Sequence, residues 1–470
     1  MTEERQPGLQ RGGDDPAATG APIRAQVAVD RRRFSLLRLR ERFYDTFWLL
    51  PTVFLIGSLL LAALTRAIDE TLSPQITHTA PWVVSASAAN LVLATLATAM
   101  LTFLGVVFSI GLVALQLASQ QFSPRVLRTY VRSVVTKVAL GTFIATFIYP
   151  LVSLGYLDQL TRAGRTVSTV SVAVAMALAI ASIAVFIAYV TLTIRGMRIA
   201  YAISTVAIET RAALHRMFPA DGHYVEVQQP VLELCDRLVY SRRGPASLAE
   251  HAAQGVLQAV DVVACVRRAR EHDVVLRLVP QVGQYVANGE PLFEVFSTGA
   301  CATGGPTDRQ LLRTVDVGPE RAVYQDPFYG IRALVDVAAQ ALSPAVNAPT
   351  TAVQVLDRLQ DFLRLMATRA WPSGLFADES GRVRLIMEVR TWEQFVDLAL
   401  TEITEFGAGS PQVTRRLASL LDALTPIVPE ERRPVRARHK ALLAEAVDQR
   451  VASHRVLAEV ALQPDTRGLG

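Results

Sequence analysis

Residues 89–122 read ANLVLATLATAMLTFLGVVFSIGLVALQLASQQF, and no charged side chain interrupts them before Ser123-Pro124 and the basic series Arg125, Arg128 and Arg132. Such a surface cannot stay exposed in water, and inside a bilayer its backbone must hydrogen-bond internally, so the stretch is predicted to be a transmembrane helix. At about 1.5 Å per residue it reaches roughly 50 Å, against a hydrocarbon core of about 30 Å. The Gln116 to Phe122 end is therefore expected to project beyond the membrane, with Ser123 as an N-cap and Pro124 opening a new helix. In that helix Arg125, Arg128 and Arg132 share one face while Leu127, Val131 and Val134 share another. This is the pattern of a segment lying in the membrane interface, or of a helical linker packed on a soluble domain.

Upstream, residues 1–30 carry Pro7, Gly12, Gly13, Pro16, Gly20 and Pro22 with little apolar material, which predicts a disordered tail without the arrangement of a signal peptide. Arginines at 31–33, 38, 40 and 42 then lead into a first uncharged span. Four spans are predicted, at about 46–65, 89–118, 138–155 and 167–194, within a membrane domain over 31–200. The N-terminal arm, 119–137 and the Arg195/Arg198 segment are the basic loops, which puts both termini on the cytoplasmic side of a bacterial inner membrane.

Residues 201–300 read as a cytoplasmic helical extension, including a short helix around 230–240, followed by a small β segment. From Gly255 the period changes: GVLQAVD, VVLRLVP and GQYVANGEPLFEVFS alternate and are punctuated by Gly283 and Gly289. The spacing Gly283, Val286, Gly289, Leu292 resembles the half-repeat of biotinyl, lipoyl and hammerhead barrels, so a barrel-like segment is expected. No Lys lies in it to carry biotin or lipoate, and no cofactor is expected. Residues 301–470 read as helical, with starts at Asp326-Pro327, Asn347-Ala348-Pro349 and Ser410-Pro411 and a capping box at Thr391-Trp392-Glu393-Gln394. The fold class is thus an α-helical integral membrane domain of four transmembrane helices followed by a cytoplasmic α+β domain.

The composition, with 51% hydrophobic and 19% charged side chains over 470 residues, suits a membrane domain plus a soluble one. The net charge of +5 sits largely beside apolar segments, where topology explains it, so nucleic acid is not an expected partner. Cys235, Cys265 and Cys301 form no CxxC pair and the seven histidines show no metal spacing. No phosphate-binding GKS or GKT loop and no Ser or Cys nucleophile motif occurs, so an enzyme is not expected.

Several stretches together resemble one bacterial family. They are LVALQLASQQFSPRVLR (112–128), GVLQAVD (255–261), VGQYVANGEPLFEV (282–295), QDPFYGIRALVDVAAQALSPAVNAPTTA (325–352) and TWEQFVDLAL (391–400). They are similar to the predicted membrane proteins grouped as domain of unknown function 2254. The resemblance implies a four-span inner-membrane protein with a cytoplasmic C-terminal region, and implies no activity. Where that family's pattern has Asp after the Asn at 347, this chain has Ala348.

Two constellations are candidate sites. Gly105, Ser109, Gln116 and Gln120 share one face of the second span, either lining a permeation path or packing helices closely. Asp326, Tyr329, Arg332, Ser343, Asn347, Thr350 and Thr351 concentrate polar groups around two helix ends, where free N–H groups could meet an anion or where capping alone accounts for them. Arg125, Arg128 and Arg132 suit either a pore mouth or lipid headgroups. With no ionisable residue expected inside the four spans, transport by a charge relay is disfavoured. The leading expectation is an oligomeric channel-like protein built around the second span. The alternative is a membrane-anchored sensory or scaffolding protein that binds a ligand or protein partner, with a carrier third.

Overall fold

The computed structural model describes residues 23–24, 48–72, 86–121, 134–162, 170–196, 198–219, 235–241, 254–297 and 305–451. Of the disordered tail expected over 1–30 only Ile23–Arg24 are among them, as a strand, and the basic face Arg125, Arg128 and Arg132 lies outside them, as does Cys301. The chain forms two compact units, one within Ser35–Thr205 and one within Val206–Gly470 that also takes in the short strand β1 (Ile23–Arg24).

Among the described residues the first unit contains four helices long and apolar enough to cross a membrane: α1 (Leu49–Leu72), α2 (Ala86–Gln121), α3 (Val134–Arg162) and α4 (Val170–Gly196). α2, with 36 residues, is about 54 Å long. Yet the bundle centres on α3, 56% of whose span is buried against 22% for each of the other three. Small residues let it approach its neighbours: a Cβ on Gly141 would meet the Phe54 ring at 2.9 Å. Phe143 packs edge-on to Phe103 of α2 at 5.3 Å, and Val107, Ala139 and Tyr189 close the same cluster.

The interior of this bundle also holds polar groups. Thr146 and Ser182 hydroxyls pair at 2.7 Å, Tyr149 donates to Thr65 Oγ1 at 3.0 Å and to the Ser171 carbonyl at 3.2 Å, and Ser171 donates to Asp69 at 2.5 Å. The helices run further than the apolar pattern alone indicated. Asp69 and Lys137 fall inside the candidate spans Leu49–Asp69 and Val134–Tyr156, and both are buried. The expectation of spans free of ionisable groups is corrected accordingly.

After α4, the helix α5 (Ile199–Met217) is separate, with the chain turning at Arg198, whose N–H bonds the Arg195 carbonyl. The second unit is built on two open sheets rather than a barrel. A six-stranded sheet has the order β1-β8-β9-β4-β6-β2, with β2 (Arg237–Tyr240), β4 (Val274–Leu278), β6 (Pro291–Ser297), β8 (Leu375–Ala377) and β9 (Val383–Met387). A three-stranded sheet has the order β5-β3-β7, from β3 (Gly255–Val260), β5 (Tyr285–Val286) and β7 (Val315–Gly318). The barrel-like expectation fails because the alternating segment divides between two sheets and recruits strands from outside itself. Leu276 of β4 lies beside Leu385 of β9 in parallel register. The helix expected around 230–240 is, over its described part, the strand β2, paired antiparallel to β6. Over the described residues 305–451 the expected helices are therefore accompanied by three strands, β7, β8 and β9.

α6 (Val262–Glu271) packs on β4 and β9, and α7 (Asp308–Leu312) is a short turn of helix. The helical layer comprises α8 (Pro327–Ala341), α9 (Pro349–Ala367), α10 (Trp392–Gly407), α11 (Pro411–Leu424) and α12 (Arg433–Val451). α8 packs on α9 and α10, and its stripe Ile331, Leu334 and Val335 is buried, as are Leu356 and Leu359 of α9 and Phe395 and Leu400 of α10. The capping box at α10 is formed by both of its bonds, Gln394 N–H to Thr391 Oγ1 at 3.3 Å and Thr391 N–H to Gln394 Oε1 at 3.0 Å.

Candidate functional site

A cavity of about 180 Å³ opens in the second unit where β3 hands over to α6, beside the Gln281–Val282 turn, the Tyr324–Phe328 segment and the end of β9. Each wall is fixed by a local device. Asp261 caps α6, its Oδ1 accepting from the Ala264 N–H at 2.9 Å. Gln325 clamps the last residue of β3, accepting from the Val260 N–H at 2.9 Å and donating to the Val260 carbonyl at 3.1 Å. Asp326 caps α8 through Oδ1, which accepts from the Tyr329 N–H at 3.1 Å, and Pro327 takes the first helical position.

The other oxygen of Asp326, Oδ2, is buried and has no hydrogen-bond partner among the described residues. It lies against Gly283, whose φ of +89° already favours glycine and whose missing Cβ would otherwise overlap it. Burial pushes the Asp326 carboxyl up to about 6, against the pull of the Tyr329 and Phe328 N–H groups and the charges of Arg390 and Arg321.

Two guanidiniums complete the site. Arg216, near the end of α5, donates to the Tyr324 carbonyl at 2.9 and 3.3 Å and stacks 4.3 Å over the Tyr324 ring. Arg390, following β9, stacks 4.0 Å over the Phe328 ring, and among the described residues its guanidinium makes no hydrogen bond. Burial lowers the pKa of both. Arg390 faces Asp326 and Glu388 through space, and Arg321 opposes it. Phe328 meets Phe395 of α10 edge-on at 5.4 Å, so the walls are mainly aromatic and aliphatic.

Of the residues singled out in sequence, the cavity takes in Asp326. Tyr329 is buried behind it. Arg332 is bound elsewhere, to Asp336 at 2.8 Å and to both oxygens of Glu402. Ser343 lies past the other end of α8, about 22 Å from its start for 15 residues, and donates to the Gln340 carbonyl. Asn347 caps nothing by its side chain: it sits exposed at a φ of +46°, a conformation Asn tolerates, and Ala348 holds the N-cap position of α9. Thr350 is exposed and Thr351 half-buried. The structure thus does not gather these polar groups into one site.

In the first unit Gly105, Ser109 and Gln116 are exposed on α2, opposite the buried face formed by Leu93, Ala97, Met100, Val107 and Ala114. Nothing lies within 4 Å of a Cβ placed on Gly105. Gln120 is in α2, but its side chain is outside the described residues. Among the described residues no cluster of three His, Cys, Asp or Glu could hold a metal. Cys265 is buried beside Thr314 Oγ1 at 3.1 Å, and burial pushes its thiol up to about 12.

The family described as "Predicted membrane protein (DUF2254)" matches residues 44–423, which includes all four candidate spans and the whole of the cavity wall. The chain belongs to that family. It is a membrane protein. It is similar to Uncharacterized protein Rv1290c of Mycobacterium tuberculosis and to Uncharacterized protein Mb1321c of Mycobacterium bovis, each 31% identical over 336 residues. Those residues are 71% of this chain and 63% of each relative, so the chain matches under two thirds of their length. No solved structure matches it.

Arg216, Arg390 and Gln281 carry no site signal in the sequence. Each lies alone in its local pattern, one near a helix end, one ahead of a capping box and one in a turn, and only the fold brings them together.

Proposed function

We propose that this DUF2254 protein is a membrane-anchored sensor in which the four apolar helices hold the chain in the bilayer and the α/β unit binds a small ligand. The observation that carries this reading is the chemistry of the cavity. Arg216 and Arg390 are partly buried and hydrogen-bond to no carboxylate among the described residues, beside an Asp326 oxygen with no partner. An unmatched buried polar group costs about 1–3 kcal/mol, so a fold selected for stability alone gains nothing from keeping such groups at a cavity. Binding rather than catalysis is the reading, because Asp261 and Asp326 are both engaged as helix caps. The proposal places the protein in a bacterial inner membrane with both termini cytoplasmic, as the arginine distribution favours.

Thermal unfolding of the purified full chain against a library of small metabolites tests it. At least one compound is expected to raise the midpoint by several degrees, with the shift lost in Arg390→Met. A library without effect on either protein counts against a ligand site.

A second reading, an oligomeric pore, is favoured by one observation: Gly105, Ser109 and Gln116 form a polar, uncharged stripe on the outward face of α2. Self-association along that face would bury it. Ion flux in liposomes that Gly105→Leu abolishes would support the pore, and liposomes that stay tight would remove it.

A further inference from the structure

We propose that the ligand of the cavity is a small amphipathic carboxylate, with an aromatic ring or a short acyl chain as its apolar body. This rests on the reading of the cavity as a ligand site and goes beyond it to the chemical class.

The charges that line the cavity are unequal in what they have left to offer. Of the three carboxylates, Asp261 and Asp326 each give an oxygen to the N-terminus of their own helix, and Glu388 is exposed. Capping places these two charges at the positive ends of the α6 and α8 dipoles, which favour a negative charge there, although burial still outweighs that for Asp326. The guanidiniums are not compensated in that way. Arg216 bonds to a neutral carbonyl and Arg390 only to a ring face, and the planar edge of a stacked guanidinium is built for bidentate carboxylate recognition.

The rest of the wall is apolar, with Val282, Phe328, Phe376, Met387 and Phe395. A cavity of about 150 Å³ accommodates a benzene ring. The 180 Å³ found here therefore suits one ring or a short acyl chain with its acidic group at Arg390. Asp326 fits the same occupant: burial holds its carboxyl up at about 6, so the proton it gains on mild acidification lets it donate to the ligand rather than repel it.

The test uses the full chain in nanodiscs of zwitterionic lipid, titrated calorimetrically with phenylacetate and octanoate, and with phenylacetamide and octanamide as uncharged counterparts. Protein-free nanodiscs correct for partition into lipid. At least one acid is expected to bind saturably, its amide at least tenfold more weakly. Arg390→Met should weaken the acid at least tenfold and Arg390→Lys by less. Phenylacetate alone identifies an aromatic acid and octanoate alone an acyl chain. Should Arg390→Met fail to fold, Arg216→Met gives the same reading.

The proposal is overturned if neither acid binds, if an amide binds as well as its acid, or if both Arg variants bind as the parent does. In any of these cases, a neutral or cationic compound displaced by Val282→Trp would leave the ligand site standing and remove only its class. The absence of any compound sensitive to Val282→Trp removes both.

Discussion

Inside the four-helix unit the hydroxyls of Thr146 and Ser182 meet at 2.7 Å, while Ile180 on the same helix is 66% exposed. In the α/β unit Leu276 and Leu292 are buried, and Arg277 and Glu294 pair across neighbouring strands at 3.2 Å with the arginine exposed. One unit thus buries hydroxyl pairs between its helices and leaves large apolar side chains on its outside, and the other buries its large apolar side chains and leaves its ion pairs outside. The difference follows from the solvent each meets. Where lipid is as apolar as leucine, hydrophobic burial gives helices no reason to associate, so small residues and internal hydrogen bonds hold them together. Where water surrounds the chain, apolar burial does that work.

The largest effect expected from breaking this pattern is in the α/β unit. Asp378 and Arg384 are a buried ion pair at 2.8 Å, with Asp273 also on Arg384 at 2.8 Å. Asp378→Ala leaves a buried guanidinium short of its partner and should cost about 3 kcal/mol, read as a lowered urea midpoint. Burial works against the Asp378 charge, but Ser380, Arg384 and the Arg382 N–H hold its carboxyl down at about 2. A depressed carboxylate stabilises above its unfolded pKa and is lost as pH falls through its folded one. The difference between parent and Asp378→Ala should therefore shrink as pH falls from about 4 towards 2.

A matched pair of surface changes sharpens the contrast. Ile180→Arg should cost about 3 kcal/mol of membrane insertion, visible as lost membrane-integrated protein. Val346→Arg, at a side chain 48% exposed in the other unit, should shift unfolding by under about 0.5 kcal/mol.

Asp326→Asn is expected to have a smaller effect of opposite sign. Because burial raises the Asp326 pKa to about 6, ionisation at neutral pH costs stability, and below the unfolded value of about 4 the cost is absent. Asn keeps the N-cap without the charge. Unfolding should show the variant about 1–2 kcal/mol more stable at pH 7.5 and equal to the parent near pH 4. Tyr149→Phe, which removes hydrogen bonds to Thr65 and Ser171 inside the helical unit, should cost about 1 kcal/mol, measured by denaturation in detergent.

The same contrast explains what sequence reading reaches. A run such as 89–122 announces itself because a bilayer demands a long uncharged stretch, and Asp326-Pro327 and Thr391 to Gln394 carry local cap chemistry that is independent of tertiary context. That α3 rather than α2 is the centre of the bundle depends on Gly141 against Phe54 and on Tyr149 reaching Thr65, which no single-helix pattern contains. Strand β9 escaped because Val383–Met387 is short and holds a buried Arg384, whose partners Asp378 and Asp273 are met only in the fold. Strand β2 is shorter still and takes its identity from pairing with β6. The cavity is the extreme case, since its walls come from segments between Ala213 and Phe395.

The central claim is that the α/β unit of this membrane protein holds a small ligand through Arg390. Native mass spectrometry of the full chain, released from the membrane of its producing cell, tests it most directly. A low-mass adduct on the parent that is absent from a folded Arg390→Met variant is the predicted result. Parent and variant spectra that both show the bare chain, or that carry the same adduct, would contradict it.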